Sequence, residues 1–183
     1  HLRPETLQNM SRYIQEKKIH VLDQNHEYYP KTWHQLADPP LVVYAKGDLK
    51  VLNKASFAVV GTRQISPYGI QVTKLITQAL AKRFVIVSGL AKGVHRQAHL
   101  SCLLSNQATI AICACGLDQC YPSQNKDLFK DIEQNGCIVS EYPLFMQPLK
   151  HHFIARNRLI AGLAQAVFIP EAGQKSGSLV TAQ

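Results

Sequence analysis

The sequence lacks any hydrophobic run long enough to cross a membrane, and it lacks the cysteine pattern of a disulfide framework. A membrane span needs roughly 18 consecutive apolar residues, whereas apolar stretches such as Leu41 to Ala45 and Val85 to Val87 have the length of strands. The five cysteines are odd in number and form no CxxC pair, so neither a disulfide scaffold nor a zinc site is indicated. Nothing resembles a signal peptide. We therefore expect a soluble, cytoplasmic protein with reduced thiols.

Acidic residues are scarce relative to basic ones. The 183 residues include 20 Lys and Arg against 12 Asp and Glu, which gives a net charge of +8 at pH 7. Such an imbalance attracts polyanions over long range. Charge alone is equally consistent with a nucleic acid, a phosphorylated small molecule or no special partner. Because both the GxGxxG fingerprint and the GxxxxGK[ST] loop are missing, NAD and P-loop nucleotide sites are disfavoured, and we predict no cofactor.

Five short apolar runs alternate with helical patterns from Ser56 onward. They are Phe57 to Val60, Val85 to Val87, Thr109 to Cys113, Cys137 to Val139, and Ala166 to Ile169. Near-continuous apolar strands separated by helices indicate a parallel sheet that is covered on both faces. We therefore predict an open, doubly wound α/β sheet.

Helical patterns also precede and interrupt these runs. An N-terminal helix is predicted from Pro4 to Lys18, and a short helix and the strand Leu41 to Ala45 are predicted in an extension that packs on the alternating region. Between the first two runs, Ser66 and Pro67 are typical of a helix start. A stripe at helical spacing is expected to be buried there. It consists of Ile70, Leu75, Ile76, Ala79 and Leu80.

Small and polar residues follow each of the five runs, where ligands bind in sheets of this class. They are Gly61 to Gly69, Ser88 to Gly93, Gly116, Ser140 to Pro143, and Glu171 to Gly173 with Ser176 to Ser178. Glycines let a phosphate approach the backbone, and helix N-termini offer it unpaired N–H groups. Several such turns beside Arg63 favour a phosphate-bearing ligand.

A basic and aromatic segment, Lys150 to Arg158, lies between the fourth and fifth runs on the same edge of the sheet. Cations for phosphates and a ring for base stacking are what single-stranded nucleic acid requires. The alternative is that Phe153 is a core residue and that Arg156 and Arg158 only cap and pair locally. Spacing alone leaves both interpretations open.

Other polar residues suit structural roles at least as well as chemical ones. His95 and His99 are four residues apart on a predicted helix, but no third metal ligand is evident, so we predict no metal site. Glu141 and Glu171 stand at strand ends, where carboxylates act as acids or bases but also cap helices and pair with arginines. We predict no catalytic residue.

Taken in order, the motifs resemble the DNA-processing protein A (DprA/Smf) family. They are Gly61-Thr62-Arg63 with Ser66-Pro67-Tyr68-Gly69, Ser88 to Gly93 with Ala98-His99, Arg156-Asn157-Arg158 to Leu163, and Glu171-Ala172 with Ser176 to Ala182. Upstream, Tyr29-Pro30, Asp38-Pro39-Pro40 and Tyr44 to Gly47 look like the segment that precedes the family's core. The resemblance runs from about Tyr29 to Ala182.

This resemblance implies an extended Rossmann-like fold without enzymatic activity. It implies a homodimer that binds single-stranded DNA during natural transformation, protects it, and loads the RecA recombinase onto it. Residues 1–24 would be the remnant of an N-terminal helical domain, and residues 25–183 the DNA-binding domain, truncated at its C-terminus. The predicted DNA-binding residues are Gly61, Arg63, Ser88, Gly89, Lys92, Lys150, Phe153, Arg156, Asn157, Arg158, Ser176 and Gly177.

One departure and one alternative qualify the resemblance. His95 stands where the family usually has an acid, which would exchange a negative charge for a possible cation. The alternative is an enzyme, because the core also resembles the LOG-like nucleotide-monophosphate phosphoribohydrolases, with Arg156 and Glu171 flanking the phosphate loop. That group's Pro-Gly-Gly-x-Gly-Thr loop is missing here. Release of free adenine from AMP would distinguish the enzyme from the DNA-binding protein.

Overall fold

The structure is a computed structural model that describes the backbone of residues 4–173 and the side chains of residues 8–173. The helices are α1 (Pro4–Glu16), α2 (Pro67–Ala81), α3 (Val94–Leu103), α4 (Lys126–Asn135) and α5 (Lys150–Leu163). The strands are β1 (His20–Asp23), β2 (Val42–Gly47), β3 (Ser56–Val59), β4 (Val85–Gly89), β5 (Thr109–Ile112), β6 (Cys137–Ser140) and β7 (Val167–Phe168). Short 3₁₀ helices span Lys31–Gln35, Leu49–Asn53 and Ser123–Asn125. The five predicted strands of the alternating region are confirmed.

Within residues 4–173 the strands form one seven-stranded sheet in the order β1-β2-β6-β5-β4-β3-β7. Strands β3 to β7 are parallel, whereas β1 and β2 run antiparallel at one edge. The predicted α/β class with a mostly parallel sheet is confirmed. From β3 the chain progresses outward through β6 and then returns to place β7 on the other side of β3. The border of β3 and β7 is therefore the topological switch point, where such sheets bind ligands.

The N-terminal part of the chain joins this sheet instead of merely packing on it. Strand β2 pairs with β6, and β1 pairs with β2 in the register His20 opposite Ala45. The indole Nε1 of buried Trp33 donates a hydrogen bond to the carbonyl oxygen of Leu159 at 3.0 Å, which ties this region to α5. Residues 20–23, in the predicted N-terminal segment, thus form a strand of the main sheet. The domain division at residue 24 stays a prediction.

Helices cover both faces of the sheet. On one face, Leu159, Ile160 and Leu163 of α5 pack with Trp33 and with side chains from the central strands. On the other face, α2, α3 and α4 cover the sheet. Tyr13 of α1 packs against the same face. Strands β3 to β6 alternate their side chains between the two cores, as a doubly wound sheet requires.

The predicted buried stripe of α2 is wrong for most of its members, although Leu80 is half-buried and packs against the core. Its buried residues are Gly69, Thr73, Thr77 and Ala81, whereas Leu75 is 70% exposed. Small side chains at intervals of four let α2 approach its neighbours closely. The Thr73 hydroxyl donates to the carbonyl oxygen of Gly69 at 2.6 Å, so burial of Thr73 leaves this hydroxyl paired. Close packing of small residues leaves Ile70 and Leu75 at the surface.

Two negative findings apply to the described residues. No helix within residues 4–173 is both long and apolar enough to span a membrane. The five cysteines all lie in this part of the chain and form no disulfide there, and four of them are buried. Burial also keeps these thiols protonated: it raises the pKa of Cys137, for example, to about 12.

Candidate nucleic-acid interface

Three loops are joined by backbone hydrogen bonds at the switch point. The N–H of Thr62 donates to the carbonyl oxygen of Glu171 at 2.8 Å, and the N–H of Val94 donates to that of Thr62 at 3.1 Å. Gly93 has a φ of +71°, and a Cβ there would lie 2.2 Å from the carbonyl oxygen of Thr62. A Cβ on Gly61 would lie 2.6 Å from the carbonyl oxygen of Glu171. The loop that carries Arg63 is therefore rigidly held by its neighbours.

Glu171 acts structurally at the start of α2. Its Oε2 accepts hydrogen bonds from the N–H of Ser66 at 2.9 Å and from the Ser66 hydroxyl at 3.0 Å. The hydroxyl oxygen of Ser66 in turn accepts from the N–H of Gly69 at 3.0 Å and caps the helix. Glu171 thus stabilises the positive end of the helix dipole. The enzyme alternative needs Glu171 beside a phosphate loop together with Arg156, but this carboxylate oxygen is already engaged.

Arg156 is a buried cation beneath the carboxyl edge of the sheet. It is 4% exposed, and its guanidinium donates to the carbonyl oxygen of Ile112 and to Oδ1 of Asn157. Burial lowers the pKa of Arg156 to about 10, and repulsion by Arg63 acts in the same direction. The group therefore remains charged at pH 7. None of its hydrogen bonds within residues 4–173 goes to a carboxylate, so its charge adds to the positive potential of the edge.

Gly89 makes room for this arginine. A Cβ at Gly89 would lie 2.4 Å from Nη1 of Arg156, so the guanidinium crosses the end of β4 where only a glycine fits without rearrangement. The adjacent Ser88 is fully buried, and its hydroxyl donates to the carbonyl oxygen of Val59 at 2.6 Å. Gly89 therefore shapes the floor of the edge, and Ser88 holds β4 against β3.

His95 and His99 are both buried next to this arginine. Nδ1 of His95 accepts a hydrogen bond from the N–H of Gly89 at 3.0 Å and lies 3.1 Å from the Ser88 hydroxyl. Nδ1 of His99 lies 2.8 Å from the hydroxyl oxygen of Thr109. Burial lowers the pKa of both imidazoles to about 3, and the charge of Arg156 acts in the same direction. His95 is therefore neutral at pH 7. It does not supply the positive charge that the sequence allowed at this position.

An aromatic and cationic strip lies at the surface of the same edge. The guanidinium carbon of exposed Arg63 lies 5.3 Å from the centroid of the Phe153 ring, within range of a cation–π interaction. Phe153 is partly buried, so part of its ring remains open to a ligand. The ring of Tyr121 also lies close, 5.5 Å from that of Phe153. Two of the predicted residues, Arg63 and Phe153, thus meet across the switch point.

The remaining predicted cations differ in their surroundings. Lys150 is exposed at the first residue of α5, one turn before Phe153, and Lys92 is exposed in the loop after β4. Arg158 instead forms an ion pair with Glu141 at 2.6 Å and approaches Asp38 at 3.4 Å. The charge of Arg158 is therefore balanced by nearby carboxylates, which agrees with the alternative that Arg158 pairs locally instead of contacting DNA.

The structure thus brings part of the predicted set together. Gly61, Arg63, Gly89, Phe153 and Arg156 lie at one edge, and Ser176 and Gly177 lie outside the described residues. Tyr121 belongs to the same edge, but the sequence pattern did not single it out. The Tyr-Pro pair after the third predicted strand was the available signal, because an aromatic in the loop beyond Gly116 reaches the ligand edge.

Comparison with known proteins relates the chain to DNA-processing proteins. The family model of DNA recombination-mediator protein A matches residues 20–183. Relatives include Protein Smf of Synechocystis sp., 43% identical over 174 residues, and DNA processing protein DprA of Streptococcus pneumoniae, 39% identical over 183 residues. These alignments cover 92% and 95% of this chain but 44% and 65% of the two relatives. The chain thus spans about half to two thirds of their length.

Solved structures of the same kind of protein share the fold. The X-ray structure of DprA from Streptococcus pneumoniae superposes with a TM-score of 0.87 at 39% identity. The match covers 93% of this chain and 61% of the DprA chain. DNA processing protein A from Helicobacter pylori, described for its unique single-stranded DNA binding mode, superposes with a TM-score of 0.82 at 40% identity. That match covers 90% of this chain and 74% of the other.

Proposed function

The chain belongs to the DNA recombination-mediator protein A family, and we propose that it binds single-stranded DNA along the carboxyl edge of its sheet. The observation that carries the proposal is the contact of Arg63 with Phe153, which places a cation for phosphate beside a ring for base stacking. Lys150 extends the cationic surface along α5. Buried Arg156 raises the potential from below. Gly89 makes room for its guanidinium, and Gly61 lets the loops of this edge pack closely.

The proposal extends to the cellular role of the full protein. As a recombination mediator in the cytoplasm, it would protect single-stranded DNA that enters during natural transformation and load the RecA recombinase onto it, acting as a homodimer. Residues 25–183 would form the DNA-binding domain, and residues 1–24 the remnant of a helical domain. Family membership supports this role.

Selective binding of single strands tests the proposal directly. We expect labelled oligothymidine to bind more tightly than a duplex of equal length, because a stacking platform needs unpaired bases. Titration at two salt concentrations measures both affinities and their electrostatic component. Equal affinity for single strand and duplex, or no binding of oligothymidine, would contradict the proposal.

Removal of individual cations is expected to change the salt dependence of binding. Each phosphate contact on a single strand contributes about −0.7 to the slope of log K against log salt. Arg63→Ala and Lys150→Ala should therefore each flatten this slope by about that amount. Arg83→Ala and Lys54→Ala are matched controls, because both side chains are exposed before the amino ends of β4 and β3, at the opposite edge of the sheet. If the slope is unchanged in both test variants, these two residues do not contact the DNA.

A further inference from the structure

Tyr121 presents a second exposed ring beside Phe153. It is 47% exposed, and its ring lies 5.5 Å from the Phe153 ring with an angle of 56° between the two planes. An aromatic residue that is exposed to this extent at a ligand-binding edge is available for stacking. On the basis of the proposed single-strand binding, we propose that Tyr121 stacks on a second base, next to the base held by Phe153.

The loop that carries Tyr121 is held in place from both sides. Asn125, which is buried four residues later, donates its amide to the carbonyl oxygens of Leu90 at 3.0 Å and Ala91 at 3.4 Å in the loop after β4. On the other side, Oδ1 of Asp118 accepts from the N–H of Phe145 at 2.7 Å, shortly before α5. The ring of Tyr121 is therefore presented by a preorganised loop, and less ordering is needed when a ligand binds.

The relative orientation of the two rings determines what they can hold. Successive nucleotides in a stacked strand rise by about 3.4 Å, whereas these ring centroids are 5.5 Å apart and the ring planes are inclined by 56°. Two neighbouring bases that follow the two rings can no longer be parallel to each other. A duplex keeps its bases stacked and paired, so only a single strand can supply them in this arrangement. Tyr121 thus contributes to the preference for single strands over duplex.

Three variants of Tyr121 test its role. Tyr121→Ala is expected to weaken binding of oligothymidine by about fivefold to 150-fold, the range found for loss of one base-stacking ring, with the salt slope unchanged. Tyr121→Leu keeps most of the apolar bulk and should show a similar loss, whereas Tyr121→Phe should bind like the wild type. Leu104→Ala is the matched control, since it removes a side chain that is 72% exposed at the far end of α3.

A strand without bases separates stacking from every other effect. A fully abasic oligonucleotide of the same length offers only phosphates and sugars, so wild type and Tyr121→Ala should bind it equally. The proposal is supported if Tyr121→Ala weakens binding of oligothymidine but leaves binding of the abasic strand unchanged. If Tyr121→Ala binds oligothymidine like the wild type, or loses equally on both strands, Tyr121 is no stacking residue, while the proposed function stands. If the wild type fails to bind oligothymidine, the proposed function itself is overturned, and this inference with it.

Discussion

Lowering the pH from 7 to 5 is expected to reduce the free energy of unfolding by about 4 kcal/mol through two histidines alone. His95 and His99 have pKa values of about 3 in the folded protein because they are buried, with the charge of Arg156 acting in the same direction. In the unfolded chain they return to a pKa of about 6.5. Below pH 6.5 the two imidazoles are protonated in the unfolded chain but stay neutral in the folded protein. The free energy of unfolding therefore falls as the pH drops from about 6.5 towards 3.

At pH 5 this linkage amounts to about 2 kcal/mol for each imidazole, since each pKa unit corresponds to about 1.4 kcal/mol. Urea unfolding at pH 7 and pH 5 measures the change. His99→Asn should remove about half of it, because the amide keeps a partner for the Thr109 hydroxyl but does not titrate. His20→Asn is the control, since His20 is exposed on β1. The same pH dependence in His99→Asn as in the wild type would show that His99 is accessible to protons in the folded state.

Phe153→Ala is expected to weaken binding of single-stranded DNA by about 1 to 3 kcal/mol, with the salt slope intact, because stacking releases no counterions. Its ring is partly buried and contacts Arg63 and Tyr121 at the surface of the edge. A stacking ring in this position adds little to the core. The melting temperature should therefore hardly change, and titration with labelled oligothymidine should show the loss.

Two further measurements distinguish stacking from packing at this position. If Phe153 is a core residue, its replacement by alanine should cost about 3 to 5 kcal/mol of stability, and the loss of binding would result from unfolding. Phe153→Tyr keeps the aromatic face and should retain most of the affinity. A large drop in melting temperature for Phe153→Ala, or binding equal to that of the wild type, would refute the stacking role.

The class of the sheet follows from local sequence patterns. Runs such as Val85 to Val87 and Cys137 to Val139 are apolar because parallel strands are covered on both faces, and helical patterns between them imply crossover connections. The rule that ligands bind at the carboxyl ends of such strands then predicted the edge that carries Arg63. These are local patterns, and parallel connectivity places all the strand ends on one side.

Tertiary contacts decided which of the residues at that edge are available. Arg156 and Arg158 are two residues apart with the same side chain. Arg156 is buried against Gly89 with no carboxylate partner among residues 4–173, whereas Arg158 pairs with Glu141. Tyr121 and Phe153 are distant in sequence. They meet because the loop after β5 and the first turn of α5, which follows the neighbouring strand β6, lie at the same edge.

Burial determined the other differences. The imidazole of His95 is neutral because the fold desolvates it, and Leu75 is exposed because α2 packs through Thr73 and Thr77. Sequence alone determined the five strands of the alternating region, the helices between them and the edge where the strands end, since these arise from local periodicity. The pairing of β1 and β2 with this sheet came only from the fold. Charge state, pairing and exposure depend on which distant groups surround a side chain, and only the folded structure brings those groups together.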